Sequence, residues 1–166
     1  YADFAGVTRI PELPRHPNLM ILRTFAKAEA LAGVRLGYLL TSVALATELD
    51  KLTPPYPLGE LETAAGLVAL ERRAEVQARV RTVVADRERV AGALQQFGLT
   101  VFPSAANFLL VDCGTRREAI LTALDRAHLA VRDVHRLPGL HGCLRISIGA
   151  ITTHDRLLAA VREALA

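Results

Sequence analysis

The sequence predicts an α/β chain that passes into an α+β segment. Three observations carry this. Short apolar runs alternate with small-residue and proline-rich breaks between Asn18 and Pro57. A stretch at helical spacing then runs from about Glu60 to Gln96. Strand-like and helix-like segments intermingle from Leu99 to the end of the chain.

Taken in order, Asn18 to Arg23 is an apolar run without alternation, which fits a strand buried on both faces of a parallel sheet. Thr24 to Lys27 is a break, Ala28 to Ala32 is short and alanine-rich, and Val34 to Thr41 reads as a second strand. Ser42 is placed to cap a helix from Val43 to about Leu52, and Lys51 is a cation suited to its C-terminal end. Pro54, Pro55 and Pro57 forbid helix and set an extended loop around Tyr56. In the long helical stretch Leu61, Ala64, Ala65, Val68 and Ala69 share a face, followed by Val76, Val80, Val83, Val84, Val90 and Leu94. A break near Glu71 is expected, and Gly98 closes the helix. No a/d heptad persists, so core packing is favoured over a coiled coil. Leu99–Phe102, Asn107–Asp112, Ala130–Arg132 and Cys143–Ile148 read as strands. In the last, Leu144, Ile146 and Ile148 alternate with Arg145, Ser147 and Gly149. Arg116 to Ala127 reads as a helix with Ile120, Leu121 and Leu124 inward. Thr152-Thr153-His154-Asp155 has the spacing of a capping box before a last helix that buries Leu157, Leu158, Val161 and Leu165.

Composition narrows the function. With 166 residues, 51% hydrophobic and 22% charged, the chain can build a core and is no disordered tail. Twenty basic against 17 acidic residues give +3, the signs alternate, aromatics are 5% and Trp is absent, which argues against a nucleic-acid arm. No run reaches the roughly 18 apolar residues of a membrane span. Two cysteines, Cys113 and Cys143, make no secreted disulfide framework, so a cytoplasmic compartment is expected. His135, His141 and Cys143 lie close in sequence but fit no zinc spacing, so no metal is expected and loop histidines beside Arg132 are favoured.

The 20 basic residues are 18 Arg and only two Lys, Lys27 and Lys51. Lys27 directly follows a strand and has small neighbours. A partly desolvated amine favours its neutral form, which attacks a carbonyl to form a Schiff base. Thr24 supplies a hydroxyl and Arg35 a guanidinium, groups that suit a phosphate. Lysine plus phosphate cradle is the pattern pyridoxal 5'-phosphate requires, although a lysine merely solvated at a strand end has the same local sequence.

Thr24-Phe25-Ala26-Lys27-Ala28 through Leu31-Ala32-Gly33 and Arg35-Leu36-Gly37-Tyr38 resembles the lysine motif of fold-type I, class I/II aminotransferases, and most of all that of the histidinol-phosphate aminotransferase family. Further elements are similar in the same order: Pro55-Tyr56-Pro57, Ser104-Ala105-Ala106-Asn107-Phe108-Leu109-Leu110, Val131-Arg132, and Leu144-Arg145-Ile146-Ser147-Ile148-Gly149. Five ordered motifs span nearly the whole chain. The resemblance implies the C-terminal part of the large pyridoxal-phosphate domain over 1–60, a connecting helix region over 61–97 and a small α+β domain over 98–166. It implies transfer of an amino group from histidinol phosphate to 2-oxoglutarate in histidine biosynthesis.

Site residues follow from the same resemblance. Lys27 matches the Schiff-base lysine and proton shuttle. Thr24 and Arg35 match groups around the cofactor phosphate, and Tyr1 the tyrosine that hydrogen-bonds the cofactor's phenolic oxygen. Arg145 matches the clamp on the substrate α-carboxylate, and Asn107 borders it. Arg132 matches a residue near the substrate phosphate, and Tyr56 one that reaches into the neighbouring subunit of a homodimer. Ala26 replaces a usual Ser, removing a phosphate hydroxyl worth about 1–3 kcal/mol, and Glu29 stands where Phe or Tyr is common. The family's carboxylate for the pyridine nitrogen would precede Tyr1. The chain is therefore expected to be a C-terminal half, inactive as a free-standing piece. Two alternatives are carried: another class I/II enzyme, such as an aromatic aminotransferase or a threonine-phosphate decarboxylase, and a non-catalytic truncated module.

Overall fold

The structure, a computed structural model, describes residues 1–165. The chain mixes helix and sheet and forms two compact units, Tyr1–Val80 and Arg81–Ala166, with the division inside a long helix.

The first unit opens with a single helical turn, α1 (Ala2–Ala5), ended by Gly6 in the left-handed region (φ 66°). A 3₁₀ segment over Ile10–Arg15 follows, started by Pro11 near its N-terminus. β1 (Ile21–Thr24) pairs antiparallel with β2 (Gly37–Leu40), Thr24 opposite Gly37 and Ile21 opposite Leu40. The expected parallel strand, buried on both faces, is corrected here. Among the described residues β1 has only β2 beside it, and its side chains alternate between half-buried and exposed. An apolar run signals a strand but says nothing of its neighbour's direction. Residues 34–36, read as strand, instead leave a 3₁₀ turn over Ala32–Val34, because Arg35 adopts the left-handed region (φ 59°).

α2 (Val43–Asp50) begins where Ser42 caps it: the Ser42 Oγ accepts from the Leu45 amide and donates to the Pro17 carbonyl at 2.9 Å. Lys51 ends it and pairs with Glu48 at 2.6 Å. α3 (Glu60–Glu71) and α4 (Arg73–Gln96) are separated at Arg72, as the expected break required. The apolar face expected on α3 is not covered by the described residues, since Leu61 is 83% exposed; what α3 buries is Gly66, against Leu36.

The second unit holds a closed core. Gly98 ends α4 in the left-handed region (φ 74°), with the Leu99 amide bonded to the Leu94 carbonyl. β3 (Thr100–Val101), β4 (Phe108–Asp112), β5 (Arg132–Asp133) and β6 (Cys143–Ser147) form an antiparallel sheet in the order β3-β4-β6-β5. α5 (Arg117–Arg126) lies between β4 and β5 in sequence, and α6 (Ile151–Ala164) follows β6. The core joins Val90 and Leu94 of α4 with Leu109, Val111, Leu144 and Ile146 of the sheet, Ile120 and Leu124 of α5, and Leu157 and Val161 of α6. The alternation in β6 is the one expected, with Leu144, Ile146 and Ile148 buried.

The expected capping box is corrected. α6 starts at Ile151 with Ala150 as its unassisted N-cap, so Thr152 lies inside the helix. The side chain that reaches back is His154, whose Nε2 accepts from the Gly149 amide at 2.8 Å. No described helix is long and apolar enough to cross a membrane.

Candidate functional site

Within the first unit the chain builds a cavity around Lys27. β1 ends at Thr24, whose Oγ1 accepts from the Ala26 amide at 3.0 Å and so turns the chain. Phe25 is buried and its amide donates to the Leu36 carbonyl. The Ala30 amide donates to the Lys27 carbonyl and the Leu31 amide to that of Phe25. Lys27 thus projects from a turn whose backbone is tied on both sides, beside the buried Ala28.

The Lys27 side chain is half-buried, and its Nζ lies 5.6 Å from the centroid of the Tyr1 ring. Tyr1, Thr24 and Lys27 line one cavity of about 430 Å³, together with Asp3 and Arg23. Arg23 donates to the Asp3 carboxylate at 2.6 Å, both side chains being largely buried, and this pair ties α1 to β1 and so holds Tyr1 near Lys27. Sequence reasoning missed that pair, which joins residues twenty positions apart in the chain. Arg35 stands outside the cavity lining, exposed, with its guanidinium on the Ala32 carbonyl at 2.9 Å. Tyr56 is 96% exposed in the proline loop, at φ 55°.

Within the second unit Arg132 and Arg145 are direct partners across the β5–β6 ladder. Residues directly opposite share a sheet face, where like charges destabilise each other. Among the described residues no carboxylate pairs with either one. The Arg145 guanidinium lies 4.5 Å from the Phe108 ring centroid, and its Nε is buried without a hydrogen-bond partner. A planar cation held on an aromatic face, with a donor to spare and a second arginine beside it, is suited to an anion. The role of Phe108 was not foreseen, because register decides which side chain flanks Arg145.

Asn107 directly precedes β4 and is half-buried. Its carbonyl accepts from the Ile148 amide at 2.8 Å, and Arg87, buried on α4, donates to the carbonyl of Ala106 at 3.0 Å. His135 and His141 meet edge to face at 5.5 Å, and the His135 Nδ1 accepts from the Gly142 amide. Cys113 and Cys143 are buried free thiols, and burial pushes Cys113 up to about 11.

The donor set in the first cavity fits pyridoxal 5'-phosphate. An amine for the aldehyde, a phenol beside it and a hydroxyl at the strand end line a space large enough for a substituted pyridine ring.

Comparison with known proteins agrees with this chemistry. A histidinol-phosphate aminotransferase from Carboxydothermus hydrogenoformans is 38% identical over 165 residues, which is 99% of this chain and 47% of that protein. One from Roseiflexus castenholzii is 38% identical over 98% of this chain and 45% of its own length. The chain therefore spans about half the length of the curated relatives it matches. Among solved structures, histidinol-phosphate aminotransferase from Sinorhizobium meliloti in complex with pyridoxal-5'-phosphate superposes with TM-score 0.80 at 29% identity, over 99% of this chain and 47% of that one. L-threonine-O-3-phosphate decarboxylase from Porphyromonas gingivalis shares the fold at TM-score 0.84 and 22% identity. The fold is that of fold-type I pyridoxal-phosphate-dependent aminotransferases. The model of the aminotransferase class I and II family matches residues 1–163, and the chain belongs to this family.

Proposed function

We propose that this chain carries the lysine and the substrate arginines of an aminotransferase that uses pyridoxal 5'-phosphate to move an amino group from histidinol phosphate to 2-oxoglutarate. The observation that supports it most directly is the half-buried Lys27 amine, facing Tyr1 across a cavity that Thr24 also lines. When bound, the cofactor supplies the electron sink that makes the substrate Cα–H acidic.

The chain's own residues do the rest. Lys27 Nζ would hold the cofactor, and its amine is the group that would take and return the proton at the substrate Cα as general base and acid. The Tyr1 hydroxyl would donate to the cofactor's phenolic oxygen. Thr24 Oγ1 and the Arg35 guanidinium, which rests on the Ala32 carbonyl in this structure, would hold the cofactor phosphate. Arg145 binds the substrate α-carboxylate with two parallel N–H donors, Asn107 borders it, and Arg132 binds the phosphate of the donor. A homodimer is part of the proposal, with the exposed Tyr56 entering the other copy's site. Free thiols at Cys113 and Cys143 suit a reducing, cytoplasmic setting.

The test uses the protein expressed from its complete reading frame. With pyridoxal phosphate added, an absorption band at about 420 nm is expected. Borohydride should fix the label on Lys27 in peptide mapping, and Lys27→Ala should abolish both band and transfer. A band that survives Lys27→Ala would sink the proposal.

A further inference from the structure

His154 is the most deeply buried polar side chain described, 1% exposed, and nothing in the transfer chemistry uses it. Its surroundings are specific. Nε2 accepts from the Gly149 amide at 2.8 Å, which places the imidazole proton on Nδ1. Nδ1 has no hydrogen-bond partner and faces Asp86 of α4 at 3.8 Å. The charged groups around it are Asp86 and Arg89 on α4 and Asp155 on its own helix, with Arg89 bridging the two carboxylates.

Gly149 lies four residues beyond Arg145, just past the end of β6. The Ile148 amide is tied to the Asn107 carbonyl, and the next α4 residue after Asp86, Arg87, ties the Ala106 carbonyl. Arg87 thus braces the segment that carries Asn107, and His154, lying beside Asp86 of the same helix, holds the segment that carries Arg145. The Arg87 brace is direct.

We propose that His154 is a positioning residue for carboxylate binding: by holding the Gly149 amide it fixes the end of β6, and with it the aim of Arg145 and the placement of Asn107. A neutral acceptor is required, because a protonated ring would present a donor to an amide donor. A buried histidine kept only to fill space would be replaceable by any ring of its size.

The inference rests on Arg145 as the carboxylate-binding group, and the test separates it from the fate of Lys27. The probe is 2-oxoglutarate, titrated calorimetrically into the protein expressed from its complete reading frame and loaded with pyridoxal phosphate. His154→Phe keeps the ring and deletes the acceptor; His154→Asn keeps an acceptor. His154→Phe should weaken 2-oxoglutarate binding about tenfold. The band at about 420 nm should stay unchanged, and His154→Asn should return the affinity to within about twofold of the parent. Should the Phe variant not fold, His154→Ala is read in the same way. Parent-like affinity in the Phe or Ala variant, or a failure of Asn to rescue, overturns the inference. A parent that lacks the band overturns the role of Lys27 instead, and the same titration on that cofactor-free protein still decides the role of His154.

Discussion

At the scale of single residues, the proposed roles of Arg132 and Arg145 can be tested separately. They face each other across β5 and β6, and among the described residues no carboxylate pairs with either one. Arg132→Ala should raise KM for a phosphorylated amino donor about tenfold or more and leave KM for 2-oxoglutarate nearly unchanged. Arg145→Ala should raise both. Steady-state kinetics with each substrate varied in turn checks this, and equal effects of Arg132→Ala on the two substrates would refute the assignment. His154 makes a pH prediction. Burial holds it below the ordinary imidazole value of 6.5, with Asp86 opposing. Above 6.5 the imidazole is neutral both folded and unfolded, and its burial carries no protonation penalty. As pH falls below 6.5, the unfolded chain takes up a proton that folded His154 does not, so stability is lost down to the lower folded value. Denaturant titrations across that range should show a slope that His154→Asn flattens. Cys113, pushed up to about 11 by burial, should resist thiol reagents in the folded protein and react only on unfolding.

At the scale of elements, Gly37 shows how a motif residue can be required by packing. A Cβ there would lie 2.8 Å from the Arg23 carbonyl oxygen, which belongs to the strand backbone and cannot swing aside. Gly37→Ala should cost about 1–3 kcal/mol by prising β2 from β1, seen as a lower unfolding midpoint at unchanged slope. Elements of this kind were legible where their cause is local. Ser42 capping α2, Gly98 closing α4 and the alternation of β6 each follow from residues within a turn or two. What was not legible depends on distant partners. The apolar run before Thr24 marks a strand, yet only pairing with β2 makes it antiparallel. The Thr152 pattern has capping-box spacing, yet α6 starts earlier, because the amide ahead of it is satisfied by His154. Among the candidate residues, Lys27 and Arg145 stood out through their motifs. Asp3–Arg23 and Phe108 against Arg145 depend on contacts that no short window contains.

At the scale of the whole molecule, apolar burial is unevenly shared between the two units. Every buried member of the main core, from Val90 to Val161, belongs to the second unit, where two helices, the end of α4 and a four-stranded sheet enclose it. The first unit buries Phe4, Phe25, Ala28, Leu36, Val76 and Val80, while Leu22, Val43, Leu52, Leu61 and Leu67 stand exposed. Amide protection tracks the free energy of opening, and opening is cheapest where little apolar surface would be newly wetted. In the 166-residue chain, hydrogen exchange followed by mass spectrometry should therefore find slow amides in β4, β6, α5 and α6, and fast ones in β1, β2 and α3. Addition of pyridoxal phosphate tests the cofactor cavity on the same axis: ligand that binds only folded protein stabilises it by mass action. Exchange in β1 and the turn through Lys27 should slow on addition if this chain by itself holds the cofactor, while the amides of β4 and β6 should not change. Equal protection of the two units before any ligand is added would show that burial within this chain does not set their relative stability.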